Sequence, residues 1–370
     1  MSLRKESIGK IPAIRNLGRN KLVDSSLYLF HTAAGFECIF TGTELWAEIF
    51  VDYEVYEPWI SIELNHSLIS RFALNKGLNK VCILRGFSVD TPKHIRLFKE
   101  TQAFPSDKSH LVKINAIMWK DGEFLNLPSP KYKFEFIGDS ISSGEGTFGA
   151  KLENDWCPCF LSAVNNYCYL TAKKLSAEFR IFSQSGWGIM SSWDGDRKCR
   201  ILDYYDTLCG FLDKNNYSSL GTSNKYNFSS WTPDAVIINL GTNDFAAICR
   251  EFSLDYEIDL SFDDYRLNET INELQHTIIN NLFMLRKCNP NACLVWCCGM
   301  ISDKLNPIIS EAVDKYVDDS KDTRAYFVTL PKVNEETIGS RAHPGLSNHE
   351  EAADVLGGFL TSILQHIKSE

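Results

Sequence analysis

Four short segments of this chain hold the residue types that acyl transfer needs. The first is Phe136-Ile-Gly138-Asp139-Ser140, an apolar run broken by a glycine, with a serine two residues on. A serine just past the carboxyl end of a buried strand is a nucleophile if a base stands beside it, and a helix cap if none does. The second, Ser183-Gln-Ser185-Gly186-Trp187-Gly188, also follows an apolar run. Gly186 can offer a backbone N–H where a side chain would block approach. The third, Asn239-Leu-Gly241-Thr242-Asn243-Asp244, brings the side-chain amide donor of Asn243. The fourth, Ser340-Arg-Ala-His343-Pro344, supplies an imidazole that titrates near neutrality and can take and return a proton. Ser140 as nucleophile, His343 as general base, and the Ser140 N–H, Gly186 N–H and Asn243 amide as oxyanion donors make a set suited to acyl transfer. His349, on the closing helix, is read as structural.

Such groups need a scaffold that brings strand ends together. After Asn126-Leu-Pro-Ser-Pro-Lys, whose two prolines favour an extended connector, strands and helices alternate. Strands are expected at Tyr132–Ile137, Arg180–Ser183, 234–241, Leu294–Cys297 and Ala325–Val328, and helices at 166–177, 268–286 and 348–367. The run Asp234-Ala-Val-Ile-Ile-Asn-Leu-Gly is apolar throughout, as strands buried on both faces are. In the helix, Ile271, Leu274, Ile278, Leu282 and Leu285 recur at helical spacing. This order predicts a parallel sheet flanked by helices, with its site at the carboxyl edge. Before residue 128 the pattern differs. Phe36–Phe40, Glu44–Val51, Trp59–Leu64, Lys80–Leu84, His94–Lys99 and Leu111–Ile117 read as strands parted by turn residues. In the second run Leu45, Ala47, Ile49 and Val51 share a face. Many short strands predict a β-sandwich. The expected division is a sandwich over 1–128 and an α/β domain over 129–370.

Taken in order, Gly138-Asp139-Ser140, Gly186, Gly241-Thr-Asn243-Asp244 and His343-Pro344 resemble blocks I, II, III and V of the SGNH (GDSL) hydrolases. With Phe136-Ile-Gly-Asp-Ser-Ile, Tyr167-x-x-Leu-Thr-Ala and the strand-rich first third, the chain is similar to carbohydrate esterase family 2 over most of its length. The resemblance implies a jelly-roll-like sandwich ahead of a three-layer α/β/α domain. It also implies serine-dependent removal of acetyl groups from sugar hydroxyls, typically on plant-cell-wall polysaccharides, with no cofactor.

One departure bears on the mechanism. Many SGNH enzymes place an aspartate two or three residues before the histidine, where this chain has Arg341 and Ser340. A triad acid fixes the tautomer of the base, and its neutralisation in a serine protease costs ~10⁴ in rate. The resemblance to family members that use a backbone carbonyl implies a Ser140–His343 dyad. An acid from elsewhere is the alternative, with Glu335, Glu336 and Asp303 as candidates. Asp139 is expected to brace its turn. Trp156, Trp187, Trp193 and Trp231 fall in or near the active edge, and Trp187, directly after Gly186, is the foremost candidate to stack on sugar. Asp244 is its expected companion in substrate binding.

The remaining composition narrows the function. The 370 residues carry a formal charge of -9, which argues against a nucleic-acid partner. No apolar run approaches the ~20 residues of a membrane helix. None of the 12 cysteines has metal-site spacing: Cys157-Pro-Cys159 and Cys297-Cys298 are too close, and Cys293, Cys297 and Cys298 read as buried small hydrophobes. No metal is expected, and reduced thiols without a visible signal peptide predict a cytoplasmic protein. An acetylated carbohydrate is the expected partner. A lipase or thioesterase on the same fold, or a degenerate sugar-binding protein, stands as the alternative.

Overall fold

Alternation in the first third becomes two antiparallel sheets. The computed structural model describes residues 3–367, apart from 216, 259 and 261–263. Twelve strands come first: β1 (Arg4–Ser7), β2 (Arg15–Leu17), β3 (Asn20–Val23), β4 (Ser26–Leu29), β5 (Gly35–Phe40), β6 (Glu44–Asp52), β7 (Trp59–Leu64), β8 (Ser67–Ala73), β9 (Gly77–Arg85), β10 (Lys93–Lys99), β11 (Leu111–Lys120) and β12 (Phe124–Leu125). One sheet runs β3-β4-β11-β6-β9 with β1 on β11, the other β12-β5-β10-β7-β8 with β2 on β5. Leu45, Ala47, Ile49 and Val51 of β6 are fully buried. They share one apolar core with Phe36, Cys38 and Phe40 of β5 and Ile95 and Leu97 of β10. Two sheets closing on one core make the predicted sandwich. The sequence pattern missed β1–β4, which span three or four residues each, the two-residue β12, and β8, an edge strand without clean alternation.

The second unit holds a five-stranded parallel sheet ordered β14-β13-β15-β16-β17. These are β13 (Tyr132–Gly138), β14 (Ala177–Ser183), β15 (Ala235–Asn239), β16 (Cys293–Cys298) and β17 (Ala325–Thr329). Every residue of β15 and β16 is buried, including Cys293, Cys297 and Cys298. The helices are α1 (Ser140–Ser143), α2 (Tyr167–Lys174), α3 (Thr242–Phe252), α4 (Tyr265–Cys288), α5 (Asn306–Ser320) and α6 (Leu346–Ile367). Leu274, Ile278, Leu282 and Leu285 form the buried stripe of α4. The expected helix over 166–177 is shorter at both ends. Asn166 caps it by accepting from Tyr169 N, and Ala177 already opens β14. Helices α3 and α5 were not expected.

The division of the chain departs from a single cut at 128/129. The first unit comprises Met1–Ser129 together with Cys157–Val164 and Thr207–Lys225, and the second comprises Pro130–Trp156, Asn165–Asp206 and Tyr226–Glu370. Buried polar groups explain the two extra segments. Arg71 Nη2 donates to the carbonyls of Cys159 and Leu161, both at 2.8 Å, and the buried Glu100 carboxylate accepts from Ala163 N at 2.6 Å. Val112 N donates to the Tyr217 hydroxyl at 3.0 Å, and Asn215 Nδ2 donates to Asp107 O at 3.1 Å. Lone buried polar groups are costly, so each such pairing favours this arrangement.

Candidate active site

Register places three loops at one level. Gly138, the last residue of β13, pairs with Ser183 at the end of β14 and Asn239 at the end of β15. The first connection leads from β13 to one neighbour, β14, and the second returns past β13 to the other, β15, so the chain reverses at this point and opens a crevice at the carboxyl edge. Ser140, Gly186 and Asn243 all follow within a few residues.

Asp139 caps α1, its Oδ1 accepting from Ile141 N at 3.0 Å. Ser140 opens this single helical turn and is 5% exposed. Its Oγ lies 2.9 Å from His343 Nε2. The other imidazole nitrogen, Nδ1, lies 2.8 Å from the carbonyl oxygen of Arg341. A carbonyl only accepts, so Nδ1 carries the proton and Nε2 keeps the lone pair that receives the Ser140 hydroxyl. No carboxylate bonds to Nδ1 among the described residues. Glu335 and Glu336 are exposed, and Asp303 pairs with Lys332 at 3.4 Å.

The His343 loop is strained and heavily tied down. Arg341 and Ala342 both adopt left-handed backbone, with φ of 55° and 54°. Such residues cost on the order of 1–3 kcal/mol each and persist only where their surroundings hold them. Here Ser340 N donates to Gly146 O at 3.2 Å, Ser340 Oγ to Phe148 O at 2.8 Å and Arg341 N to Glu153 O at 2.8 Å. Gly146 is required at its position. Its φ is +83°, and a Cβ there would stand 2.4 Å from His343 Cβ.

A residue that no sequence pattern flagged lies among these loops. Glu145 is 4% exposed at its side chain, and its Oε1 lies 2.9 Å from Arg341 Nε and 3.8 Å from His343 Nε2. Burial pushes its carboxyl up. His343, the nearby polar groups of Ser185 and Trp156, and Arg341 outweigh that, and the group rests below its ordinary value. Opposite charges at this range attract, and the Arg341 guanidinium offsets part of that attraction. The only signal in the sequence was an acid between two glycines shortly after the serine.

The oxyanion candidates Gly186 and Asn243 stand in the loops after β14 and β15. Gly186 has φ +79°, in the left-handed region where glycine is favoured. Among the described residues neither its N–H nor that of Ser140 has an acceptor in the chain. Asn243 Nδ2 donates to Trp187 O at 2.9 Å and to Asp139 Oδ2 at 3.1 Å. Both amide hydrogens are thus engaged, and an oxyanion would share one of them. Asp139 is buried, and burial with the nearby Asp244 and Glu145 raises its carboxyl to about 7. It braces the turn and holds Asn243.

The two expected substrate contacts, Asp244 and Trp187, have these surroundings. Asp244 is 1% exposed, and its carboxylate accepts from Ile189 N at 2.8 Å and Met190 N at 2.7 Å. It stabilises the turn after Gly186. Trp187 is half-buried, its ring centroid 5.6 Å from that of Tyr204. Trp193 is the exposed aromatic, at 51%, and its indole Cδ1 lies 3.1 Å from where a Cβ of Gly186 would stand. Trp156 lies near Glu145 and favours its charged form, and Trp231 is buried and donates to Glu178 at 2.6 Å. His349 is fully buried, accepts from Tyr167 N at 3.1 Å and is pushed down to about 3 by burial, as a structural histidine is.

No protein-family model matches the sequence. Among solved structures, the chain is similar to an acetyl xylan esterase (Est2A) from the rumen bacterium Butyrivibrio proteoclasticus. The two are 36% identical over 99% of each chain, with a TM-score of 0.93. A family two carbohydrate esterase from Clostridium thermocellum, in complex with cellohexaose, is 25% identical over 95% of this chain and 99% of its own, with a TM-score of 0.79. The cellulase/esterase CelE of Acetivibrio thermocellus is 26% identical over 307 residues, which are 81% of this chain and 33% of that protein. The chain thus spans about a third of the length of that curated relative.

Proposed function

The chain belongs to carbohydrate esterase family 2, among the SGNH/GDSL hydrolases, and on that footing we propose that it is a carbohydrate O-acetyl esterase working through an acyl-enzyme on Ser140. The observation that carries the reading is the 2.9 Å approach of Ser140 Oγ to the unprotonated nitrogen of His343, whose other nitrogen is held at 2.8 Å by Arg341 O.

The steps follow from this geometry. His343 Nε2 takes the hydroxyl proton as Ser140 Oγ bonds to the acetyl carbonyl carbon. The carbonyl oxygen gains negative charge, which the N–H groups of Ser140 and Gly186 and a shared hydrogen of Asn243 stabilise. The imidazolium then gives its proton to the sugar oxygen, the ester bond breaks, and the sugar leaves with its hydroxyl restored. Water repeats the sequence on the acyl-enzyme, releasing acetate and returning Ser140. Est2A is an acetyl xylan esterase, and the Clostridium enzyme was solved with cellohexaose. These relatives support an acetylated cell-wall polysaccharide, or oligosaccharides cut from one, as the substrate.

Hydrolysis of 4-nitrophenyl acetate and octanoate by the wild type, Ser140→Ala and His343→Ala tests the reading, followed by acetate release from acetylated xylo-oligosaccharides. Acetate esters should be cleaved far faster than octanoate, with kcat lowered at least ~10⁴-fold by either substitution. A wild type that turns over no acetyl ester, or a Ser140→Ala variant that keeps its activity, would overturn it.

A further inference from the structure

A triad acid performs two tasks at once. It holds the imidazole in one tautomer and orientation, and it offsets the positive charge that appears when the base takes a proton. In this chain no single group does both. The Arg341 carbonyl, 2.8 Å from Nδ1, orients the ring but carries no net charge. The carboxylate of Glu145 lies on the other side, 3.8 Å from Nε2, too far for a hydrogen bond and close enough to act on charge.

We propose that the work of the missing acid is divided here, the Arg341 carbonyl orienting His343 and the buried Glu145 carboxylate stabilising its imidazolium from the side of the nucleophile. Glu145 is thereby a positioning and electrostatic residue for the reaction proposed above, on which this inference rests. Its placement is built. Its carboxylate accepts from Arg341 Nε of the histidine loop at 2.9 Å, and Ser185, beside the oxyanion glycine, and Trp156 lie near enough to favour its charged form. One side chain thus links the turn after the nucleophile to the base loop. Glu145 N also donates to Ser140 O at 2.9 Å, which fixes where the side chain starts.

Other charged groups near His343 do not replace it. From its own loop comes Arg341, a cation that opposes the effect. From the start of α1 comes Asp139, held by Ile141 N and Asn243. From α3 comes Asp244, held by the backbone of Ile189 and Met190. From the loop before residue 157 comes Glu153, whose side chain accepts from Asp155 N at 3.0 Å. From α6 comes His349, buried and neutral.

The test is the pH profile of kcat/KM for 4-nitrophenyl acetate in the wild type, Glu145→Gln, Glu145→Asp and Arg341→Gln. Exposed Glu335→Gln serves as the control. Active enzyme is counted in each by titrating the serine with a fluorophosphonate. Loss of the carboxylate charge makes the imidazolium harder to form, so Glu145→Gln should lower the plateau ~10- to 100-fold and move the acidic limb down by roughly one pH unit. Glu145→Asp keeps the charge and should return the limb toward the wild-type position. Arg341→Gln removes the opposing cation and should move the limb up. A merely structural Glu145 would lower the plateau or the count of active sites and leave the limb in place, and that result overturns the proposal. Should Glu145→Gln not fold, an unmoved limb in Arg341→Gln overturns it equally. Failure of the esterase reading would look different: the wild type itself would be inactive, or Ser140→Ala would not.

Discussion

His343 draws its orienting hydrogen bond from Arg341, two residues earlier in its own loop, across 2.8 Å. The acceptor therefore moves with the base. Its position depends on two successive left-handed residues, Arg341 and Ala342, and on whatever prevents that turn from relaxing. The restraint comes from the segment after the nucleophile, through Gly146, Phe148 and Glu153.

Gly146→Ala should therefore be a severe active-site mutation. Its φ of +83° and the approach of the added Cβ to His343 Cβ at 2.4 Å and Ser340 O at 2.8 Å press on the loop that carries the base. A shift of ~1 Å can cost ~10²-fold in rate. The expected outcome is a loss of that order in kcat, measured beside a thermal melt showing that the variant still folds.

Asn243→Ala should lower kcat for acetyl esters ~10²- to 10³-fold, the range for loss of one oxyanion donor. KM should change little, since the ground-state carbonyl gains less from the donor than the tetrahedral oxyanion does. Steady-state kinetics on 4-nitrophenyl acetate separates the two parameters.

Trp193, not Trp187, should govern the sugar. Trp193→Ala is expected to raise KM for an acetylated oligosaccharide ~2- to 10-fold, the equivalent of ~0.5–1.5 kcal/mol of ring contact, with 4-nitrophenyl acetate nearly unaffected. Trp187→Ala should instead lower stability, because its ring packs on Tyr204. Parallel kinetics and melting curves for the two variants check both statements.

Asp139 gives stability a distinctive pH dependence. Its carboxyl stands at about 7 in the fold, through burial and the nearby Asp244 and Glu145. In the unfolded chain it stands near ~3.9. Between those values the folded chain holds a proton that the unfolded chain has released, so this group's contribution is fully present below about pH 4 and is lost as pH rises toward 7. Relative to Asp139→Asn, the wild type should lose stability on the order of 1 kcal/mol per pH unit across that window. Urea denaturation of both at several pH values measures it.

What could be read from the chain divides along physical lines. Strand β6 was legible because one of its faces is buried, and β15 because both are. Ser140 and His343 were legible because each sits in a short motif of the right residue types. Glu145 was not, since its meaning depends on Arg341, Ser185 and Trp156, which come from loops far apart in sequence. The bracing role of Asp244 was hidden for the same reason. Its partners, the N–H groups of Ile189 and Met190, lie more than fifty residues away. The segments Cys157–Val164 and Thr207–Lys225 carry no compositional mark of joining the first unit, because buried hydrogen bonds such as Arg71 to Leu161 O do that work.

Those two segments also govern how the gene can be cut. A fragment ending at Ser129 carries all twelve strands of the sandwich but lacks the Tyr217 hydroxyl that receives Val112 N, and the Ala163 N–H that Glu100 accepts. The complementary fragment carries segments whose partners stay behind. Recombination at the proline-rich connector therefore exchanges neither half intact.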